Sequence, residues 1–294
     1  DFKRKSGRKK EDFDQLANST EMITIKEFPS KSFSTADEAM KELVLNKKTL
    51  ISQKKSAVKF SDAIPFSGTP AIEKTANKAE GEAPTLDDAT SIKIIAVSNA
   101  CNYYDSHGDV SINGSWNRTA KNQKSGLHLQ EHKNQFDKLI SDEVTFSVEI
   151  KTWKELGYDY EGSTECLVMH SKADKETNPF MFDKYVKGKV KNHSSGLMYV
   201  NMVLAMNNSA DWAKEEKEAW DKYYPGIVNK DDVDQRGYFW AVLEQKILEN
   251  SAVLRGSNPA TPTISVEPAD STSTKTENTD NSTSQSVEDY YLNN

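Results

Sequence analysis

The sequence has little of what an exported or membrane protein requires. It contains two cysteines, Cys101 and Cys166, in 294 residues, which is too few for a disulfide framework. No CxxC motif accompanies them, so a cysteine-based zinc site is not indicated. No run approaches the roughly 18–20 apolar residues that span a bilayer, and the N-terminus has no apolar signal core. We therefore expect a soluble, intracellular protein that does not contact a membrane.

Positive charge and apolar side chains are also scarce. The net charge is -7, hydrophobic residues make up 36% of the chain, and the mean hydropathy is -0.74. Nucleic-acid binding requires a concentrated basic face, and the densest run of lysine and arginine is residues 3–10 at the N-terminus. We expect this run to be a solvated arm, with no direct contact to nucleic acid. The low apolar content further predicts that part of the chain lies outside any packed core.

Composition divides the chain into three parts. Residues 1–90 are predicted to be a largely flexible N-terminal arm and linker with one short helix at 36–45, whose start carries a possible capping box from Thr35 to Glu38. Residues 64–90 have the Pro-, Gly- and Thr-rich composition of a linker.

The remaining two parts are a folded domain at 91–263 and a disordered Ser/Thr-rich tail at 264–294. Within the domain, β-branched and alternating apolar segments predict several strands, and helical spacing predicts helices at 179–190 and 210–224. The strands do not alternate regularly with helices. The predicted class is therefore α+β, with a mostly antiparallel sheet or barrel.

A candidate nucleophile lies in the segment "KNHSSGLMYV". Ser194 enters a predicted buried strand, and Gly196 allows close backbone approach next to N–H groups suited to an oxyanion. Ser195 is a direct competitor, on the opposite face of the strand. Two serines and a glycine at a strand start are also simply a common polar turn.

Two histidines four residues apart offer a base or a metal site. The string from His128 to His132 fits the H-x-x-E-H pattern. On a helix both imidazoles would share a face and hold zinc, with Glu131 as general base. A third ligand is not evident in the sequence, and two surface histidines in a loop remain an alternative.

A candidate acid lies in the apolar segment "KILENSAVL". Glu249 is flanked by Ile247, Leu248, Ala252 and Val253. An acid in such a strand is either paired with a partner or turned to solvent. Its position alone does not decide between the two.

Four motifs in a fixed order resemble the prohead protease family of tailed phages, over about residues 92–263. The first is "DSHGDV", followed by Gly114 and Trp116, and the second is "LHLQEH". The third is "HSSGLMYV", and the fourth combines "LENSAV" with "GSNPAT". Each motif is weak alone, and their order makes the resemblance more specific.

The resemblance implies a herpesvirus-protease-like fold, a β-barrel wrapped by helices. It implies a serine endopeptidase with His132 as base, Ser194 as nucleophile and Glu249 as third member, and with no cofactor or metal. Such an enzyme digests scaffold and capsid delta segments, and often itself, inside immature proheads in the bacterial host cytoplasm. Its implied partners are the phage major capsid protein and scaffold, with a possible homodimer.

The chain departs from the family pattern in two places. His193 precedes the candidate nucleophile where many relatives carry an apolar residue, and a helical insertion at about 209–235 separates Ser194 from Glu249. Two alternatives of other classes remain: a zinc peptidase using His128 and His132, and a non-catalytic scaffold or internal head protein.

Overall fold

The computed structural model describes residues 22–58 and 85–269. Predictions for the rest of the arm, for most of the linker and for the tail beyond residue 269 lie outside these described residues. The chain divides into two compact units, residues 1–50 and 51–294. The division falls within the first described helix.

Helix α1, Ala36–Ser56, begins at the predicted capping box and is longer than expected. The Glu38 N–H donates to Thr35 Oγ1 at 3.2 Å, and Glu38 Oε2 accepts from the Ser34 N–H at 2.9 Å. These two bonds satisfy N–H groups that a helix start leaves without partners. Beyond the predicted end at residue 45 no helix-breaking residue occurs until after Ser56, so the helix continues.

The second unit contains nine strands among its described residues. They are β1 Ser91–Ala100, β2 Asp109–Ser111, β3 His128–Gln130, β4 Leu139–Ser141, β5 Glu143–Thr152, β6 Ser163–Asp174, β7 Asn192–Met206, β8 Tyr238–Val253 and β9 Thr263–Pro268. The α-helices are α2 Asn117–Asn122, α3 Pro179–Val186, α4 Lys214–Tyr223 and α5 Lys230–Arg236, with short 3-10 turns at Phe136–Lys138, Asp211–Ala213 and Tyr224–Gly226.

The strands form two sheets, which confirms the α+β class. One sheet has the order β5-β6-β1-β9 and is antiparallel throughout. The other is built around β8, which pairs antiparallel with β7 and parallel with β2 and β3, while β4 pairs with β3.

The expected closed barrel is not present in the described residues. Near the start of β7 the two sheets meet at an isolated bridge, Asn192 with Pro262, rather than along a continuous ladder. Barrel closure requires ladder hydrogen bonds between every neighbouring pair of strands. The strands are therefore better described as two open, mixed sheets.

Two predicted boundaries need correction. The domain does not end at residue 263, because β9 continues to Pro268 and pairs with β1 from Ile92 to Ala96. The helix predicted over 179–190 stops at Val186, and Gly188 then takes a positive φ of 60° that a helix cannot continue through. The predicted insertion is confirmed as helical, with α4 and α5 between β7 and β8.

The core lies on the inner faces of both sheets. Ile92, Ile94 and Ala96 of β1 are fully buried, and so are Phe239 and Trp240 of β8. In β1 this burial favours one register, because a one-residue slip would turn these apolar side chains outward and the exposed Lys93 inward. Phe239 and Trp240 are adjacent, so β8 is buried on both of its faces there. No helix in residues 22–58 or 85–269 is long and apolar enough to cross a membrane.

Candidate active site

The ladder between β7 and β8 places the candidate serine and acid on one face of the sheet. Ser194 is paired with Ser251, and Gly196 is paired with Glu249. Directly opposed residues of an antiparallel pair point to the same side, and so do residues two apart on one strand. The side chains of Ser194, Glu249 and Ser251 therefore share a face.

The short strand β3 brings His132 to the same place. It runs parallel to the other edge of β8, with Gln130 opposite Ala252. The two residues that follow, Glu131 and His132, have φ angles of 52° and 57°. This left-handed conformation is uncommon for residues other than glycine, and it turns the chain sharply at the end of the strand.

His132 and Glu249 form a short, partly buried hydrogen bond. His132 Nδ1 lies 2.6 Å from Glu249 Oε1, and the His132 backbone N–H donates to Ser251 Oγ at 3.0 Å. The other carboxylate oxygen, Glu249 Oε2, accepts from Ser251 Oγ at 2.6 Å. Glu249 is only 5% exposed, so of the two possibilities for an acid in an apolar strand, the structure shows the paired one.

Ser194 lies beneath the turn that follows β8. It is 5% exposed, and a Cβ on Gly256 would lie 3.6 Å from Ser194 Cβ and 2.8 Å from the His193 carbonyl oxygen. The second distance is too short for a real Cβ, so this turn approaches the serine closely only because residue 256 is glycine.

The competing serine is committed to another contact. Ser195 Oγ donates to the Ser98 carbonyl oxygen of β1 at 3.0 Å. It lies on the face opposite Ser194, as the strand alternation predicts. Of the two neighbouring hydroxyls, Ser194 is therefore the one on the His132 and Glu249 side.

The β7–β8 ladder also determines which backbone N–H groups of β7 point away from β8 and are not used in that ladder. The His193 N–H points away from β8 and donates to the Thr261 carbonyl at 3.0 Å. Hydrogen-bonding direction alternates along an antiparallel strand. The Ser194 N–H is therefore turned toward β8, and the Ser195 N–H is turned away from it, as is that of His193.

A buried network next to the site was not found from the sequence. The Tyr185 hydroxyl lies 2.8 Å from His128 Nε2 and 2.9 Å from His193 Nε2, and His128 Nδ1 lies 3.0 Å from Ser171 Oγ. His193 Nδ1 faces the Thr261 carbonyl oxygen at 3.4 Å. In the sequence, Tyr185 belongs to the apolar stripe of a helix, and nothing there signals a polar partner for its hydroxyl.

The network has a definite hydrogen-bond direction. A carbonyl oxygen only accepts, so His193 carries its proton on Nδ1 and its Nε2 accepts from Tyr185. Tyr185 then accepts from the Nε2–H of His128, whose Nδ1 accepts from Ser171. Burial lowers the pKa of His128 well below its usual value and that of His193 to about 4, so both rings are neutral.

This geometry does not provide the shared helical face that the zinc alternative requires. His128 lies on strand β3 with both ring nitrogens in the Tyr185 network, whereas His132 lies beyond a left-handed turn and bonds Glu249. Within residues 22–58 and 85–269, no group of three or more His, Cys, Asp or Glu side chains is placed to hold a metal ion.

The two cysteines are free and buried. Burial raises the pKa of both thiols well above its usual value. A cysteine nucleophile requires an exposed thiolate with a lowered pKa, so neither side chain is suited to that role.

The predicted residues His132 and Glu249 are thus bonded to each other, with Ser194 on their face of the sheet. Comparison with protein-family models, with curated proteins and with solved structures found no match to this chain.

Proposed function

We propose that this protein is a serine endopeptidase, with Ser194 as nucleophile, His132 as general base and Glu249 as the residue that orients the base. The observation that carries the proposal is the 2.6 Å bond between His132 Nδ1 and Glu249 Oε1 on the face that Ser194 shares. A nucleophile, a base and an orienting acid from separate elements are the parts that hydroxyl-based acyl transfer requires.

The reaction proceeds through an acyl-enzyme. His132 Nε2 takes the proton of Ser194 Oγ as the oxygen attacks the scissile carbonyl, and then delivers it to the leaving amine. Glu249 accepts the Nδ1–H and stabilises the imidazolium that forms. Water, activated by the same imidazole, then releases the acyl group.

The bond from Ser251 to Glu249 supports the assignment. An orienting carboxylate has to be held in one position, because a small rotation of the imidazole moves Nε2 away from the serine. Ser251 Oγ donates to Glu249 Oε2 and accepts from the His132 backbone N–H. One hydroxyl therefore ties acid and base together.

We further propose that the substrates are the scaffold and capsid delta segments of a tailed-phage prohead, in the bacterial host cytoplasm, and that the protein also cleaves itself. The support is the order of the four motifs, three of which contribute the site: "LHLQEH" supplies His132, "HSSGLMYV" supplies Ser194 and "LENSAV" supplies Glu249. The same proposal includes a fold related to that of herpesvirus proteases. Two open sheets would then replace the closed barrel of that fold.

The test compares Ser194→Ala with Ser195→Ala, its matched neighbour. Each is co-expressed with a tailed-phage major capsid protein and its scaffold protein, and the intact mass of every chain is measured. Cleavage should vanish in Ser194→Ala and persist in Ser195→Ala. Cleavage that persists in Ser194→Ala would refute the proposal, and no cleavage even in the wild type would favour a non-catalytic head component.

A further inference from the structure

A small polar cavity adjoins Ser194, at the edge of β7 that faces away from β8. Its volume is about 20 Å³, and its walls include Ser98 of β1, Ser194 and Ser195 of β7, and His107 and Asn258 from two turns. A site of roughly 10–15 Å³ accommodates one water-sized group when polar partners surround it. The cavity therefore has room for a single oxygen atom, and its walls supply the hydrogen-bonding groups.

The first polar group in this cavity is the hydroxyl of Ser98. The pairing of β1 with β6 shifts register between Val97 and Asn99, so Ser98 is the extra residue of a β-bulge. Bulges re-aim side chains and are frequent beside active sites. Ser98 is 1% exposed, and its Oγ has no hydrogen-bond partner among the described residues. A buried hydroxyl without a partner is unfavourable, so an acceptor placed in the cavity would stabilise it.

The second is the imidazole of His107. Its Nε2 is buried and also has no partner within the described part of the chain. Its backbone N–H donates to Asp105 Oδ1 at 2.9 Å, which fixes the turn. Asp105 lines the cavity as well, and the same Oδ1 accepts from the Asp109 N–H at 2.9 Å. Asp105 Oδ1 therefore already accepts two backbone hydrogen bonds within the turn.

The third is the backbone N–H of Ser195. The ladder turns it away from β8, toward the edge of β7 where the cavity lies. Ser195 Oγ donates to the Ser98 carbonyl at 3.0 Å, which holds the β1 bulge against this edge. Three hydrogen-bonding groups from three chain segments thus border one oxygen-sized space beside the proposed nucleophile.

We propose that this cavity is the oxyanion site, in which the Ser195 N–H, the Ser98 hydroxyl and His107 Nε2–H donate to the carbonyl oxygen of the substrate. The inference rests on the proposed function. As the Ser194 Oγ–carbon bond forms, the carbonyl π electron pair moves onto this oxygen and the serine proton moves to His132. The pair returns when the amine leaves. Donors fixed in a buried site stabilise this charge more than the ground-state carbonyl.

Ser106 provides a matched control for Ser98. Its hydroxyl is also buried without a partner in the described residues, but it does not line the cavity. We expect Ser98→Ala to lower kcat by roughly 10–100-fold with little change in KM, as loss of a donor used in the transition state does. Ser106→Ala should leave kcat unchanged. His107→Ala should behave like Ser98→Ala, and His107→Gln, which keeps an N–H donor, should recover part of the rate.

Two readouts separate this inference from the proposed function. One is cleavage of the co-expressed scaffold, and the other is labelling by a fluorophosphonate, measured as intact mass. In labelling, the Ser194 Oγ–phosphorus bond forms as the serine proton moves to His132, and the phosphorus–fluorine bond breaks to release fluoride. The phosphoryl oxygen takes the place of the carbonyl oxygen. Each variant is also unfolded in denaturant to check that its fold is retained.

The outcomes are distinct. Slower cleavage and labelling in Ser98→Ala and His107→Ala, but not in Ser106→Ala, support the oxyanion site. Unchanged cleavage and labelling rates in Ser98→Ala and His107→Ala, with labelling still dependent on Ser194, overturn this inference alone. The cavity would then be a site for a structural water. Labelling or cleavage that does not depend on Ser194 overturns the proposed function and this inference together.

Discussion

Gly196 lies directly opposite Glu249 in the β7–β8 ladder, and a Cβ on Gly196 would approach Glu249 Cδ to 2.9 Å. Real Cβ atoms essentially never come so close. The carboxylate therefore occupies space that only a glycine leaves open. The glycine after the two serines thus has a second role besides backbone freedom, since it makes room for the carboxylate that bonds His132.

Gly196→Ala should lower activity more than stability. The added methyl group displaces the Glu249 carboxylate from His132, and we expect kcat/KM to fall by roughly 10²-fold or more, with a stability loss of about 1–3 kcal/mol. Gly226→Ala is the control, because its Cβ would meet Asn102 at an ordinary 3.7 Å. Denaturant unfolding and cleavage rates are measured on both. Equal activity of the two variants would contradict the steric argument.

Glu249→Gln should leave the fold intact and slow the reaction by roughly 10²–10⁴-fold, because a neutral amide does not stabilise the imidazolium. Ser251→Ala removes the donor to Glu249 Oε2 and should have a smaller effect in the same direction. The matched control is Glu244→Gln on the same strand, whose partner Arg118 is exposed. Exposed ion pairs contribute about 0–1 kcal/mol, so Glu244→Gln should cleave normally. A normal rate in Glu249→Gln would remove Glu249 from the site.

Tyr185→Phe should destabilise the second unit without changing its shape. The hydroxyl is the partner of both His128 and His193, and its loss leaves two buried ring nitrogens unpaired at about 1–3 kcal/mol each. Tyr223→Phe, on the partly exposed surface of α4, should be near neutral. The free energy of unfolding in urea is compared. An effect in Tyr185→Phe no larger than in the control would show that the network is not a source of stability.

Acid should unfold this protein through the same network. The pKa of His193 is about 4 in the folded state because the ring is buried, whereas it is about 6.5 in an unfolded chain. Between these values the unfolded state binds more protons, so stability decreases as the pH falls from about 6.5 toward 4. Each pKa unit corresponds to about 1.4 kcal/mol, so the loss is on the order of 3 kcal/mol.

The pH effect is measured as unfolding free energy across this window and as imidazole NMR signals. His193 should retain the signals of a neutral ring with its proton on Nδ1 throughout the upper part of the window. Protonation of this ring near pH 6.5 in the folded protein would contradict the prediction.

Addition of a chelator should not affect cleavage. Substitutions of the two histidines of the H-x-x-E-H string should have different effects. His132→Ala should abolish cleavage, whereas His128→Ala should mainly destabilise, because its ring joins Ser171 and Tyr185 in the core. A zinc enzyme would lose its metal and its activity in both variants. Stoichiometric zinc in the purified protein, together with inhibition by a chelator, would reverse this assignment.

Much of the fold follows from local pattern. The alternation of Val144 and Phe146 predicts β5, the apolar run after Gly196 predicts β7, and Pro179 begins a helix as expected. β9 is different, because it is short, only partly buried and ends at Pro268. β9 forms because it pairs with β1, which lies far away in the sequence, and a local sequence pattern does not predict such a pairing.

The sequence predicts the residues of the proposed site, but it does not predict the contacts that position them. His132, Ser194 and Glu249 are residue types that carry chemistry, and motif order selects them. The left-handed turn at Glu131 and His132 goes against the preference of both residues. The bulge at Ser98 and the Tyr185 network depend on contacts between distant segments, so only the structure shows them.

The bond between His132 and Glu249 joins residues 117 positions apart. Such distant pairings form slowly, because a long loop must close before any contact stabilises it. β8 is also the last strand of its sheet in chain order, and it separates β3 from β7. In a chain that is still folding, the His132–Glu249 bond is therefore not yet formed. The topology therefore delays assembly of the proposed site until the domain is complete.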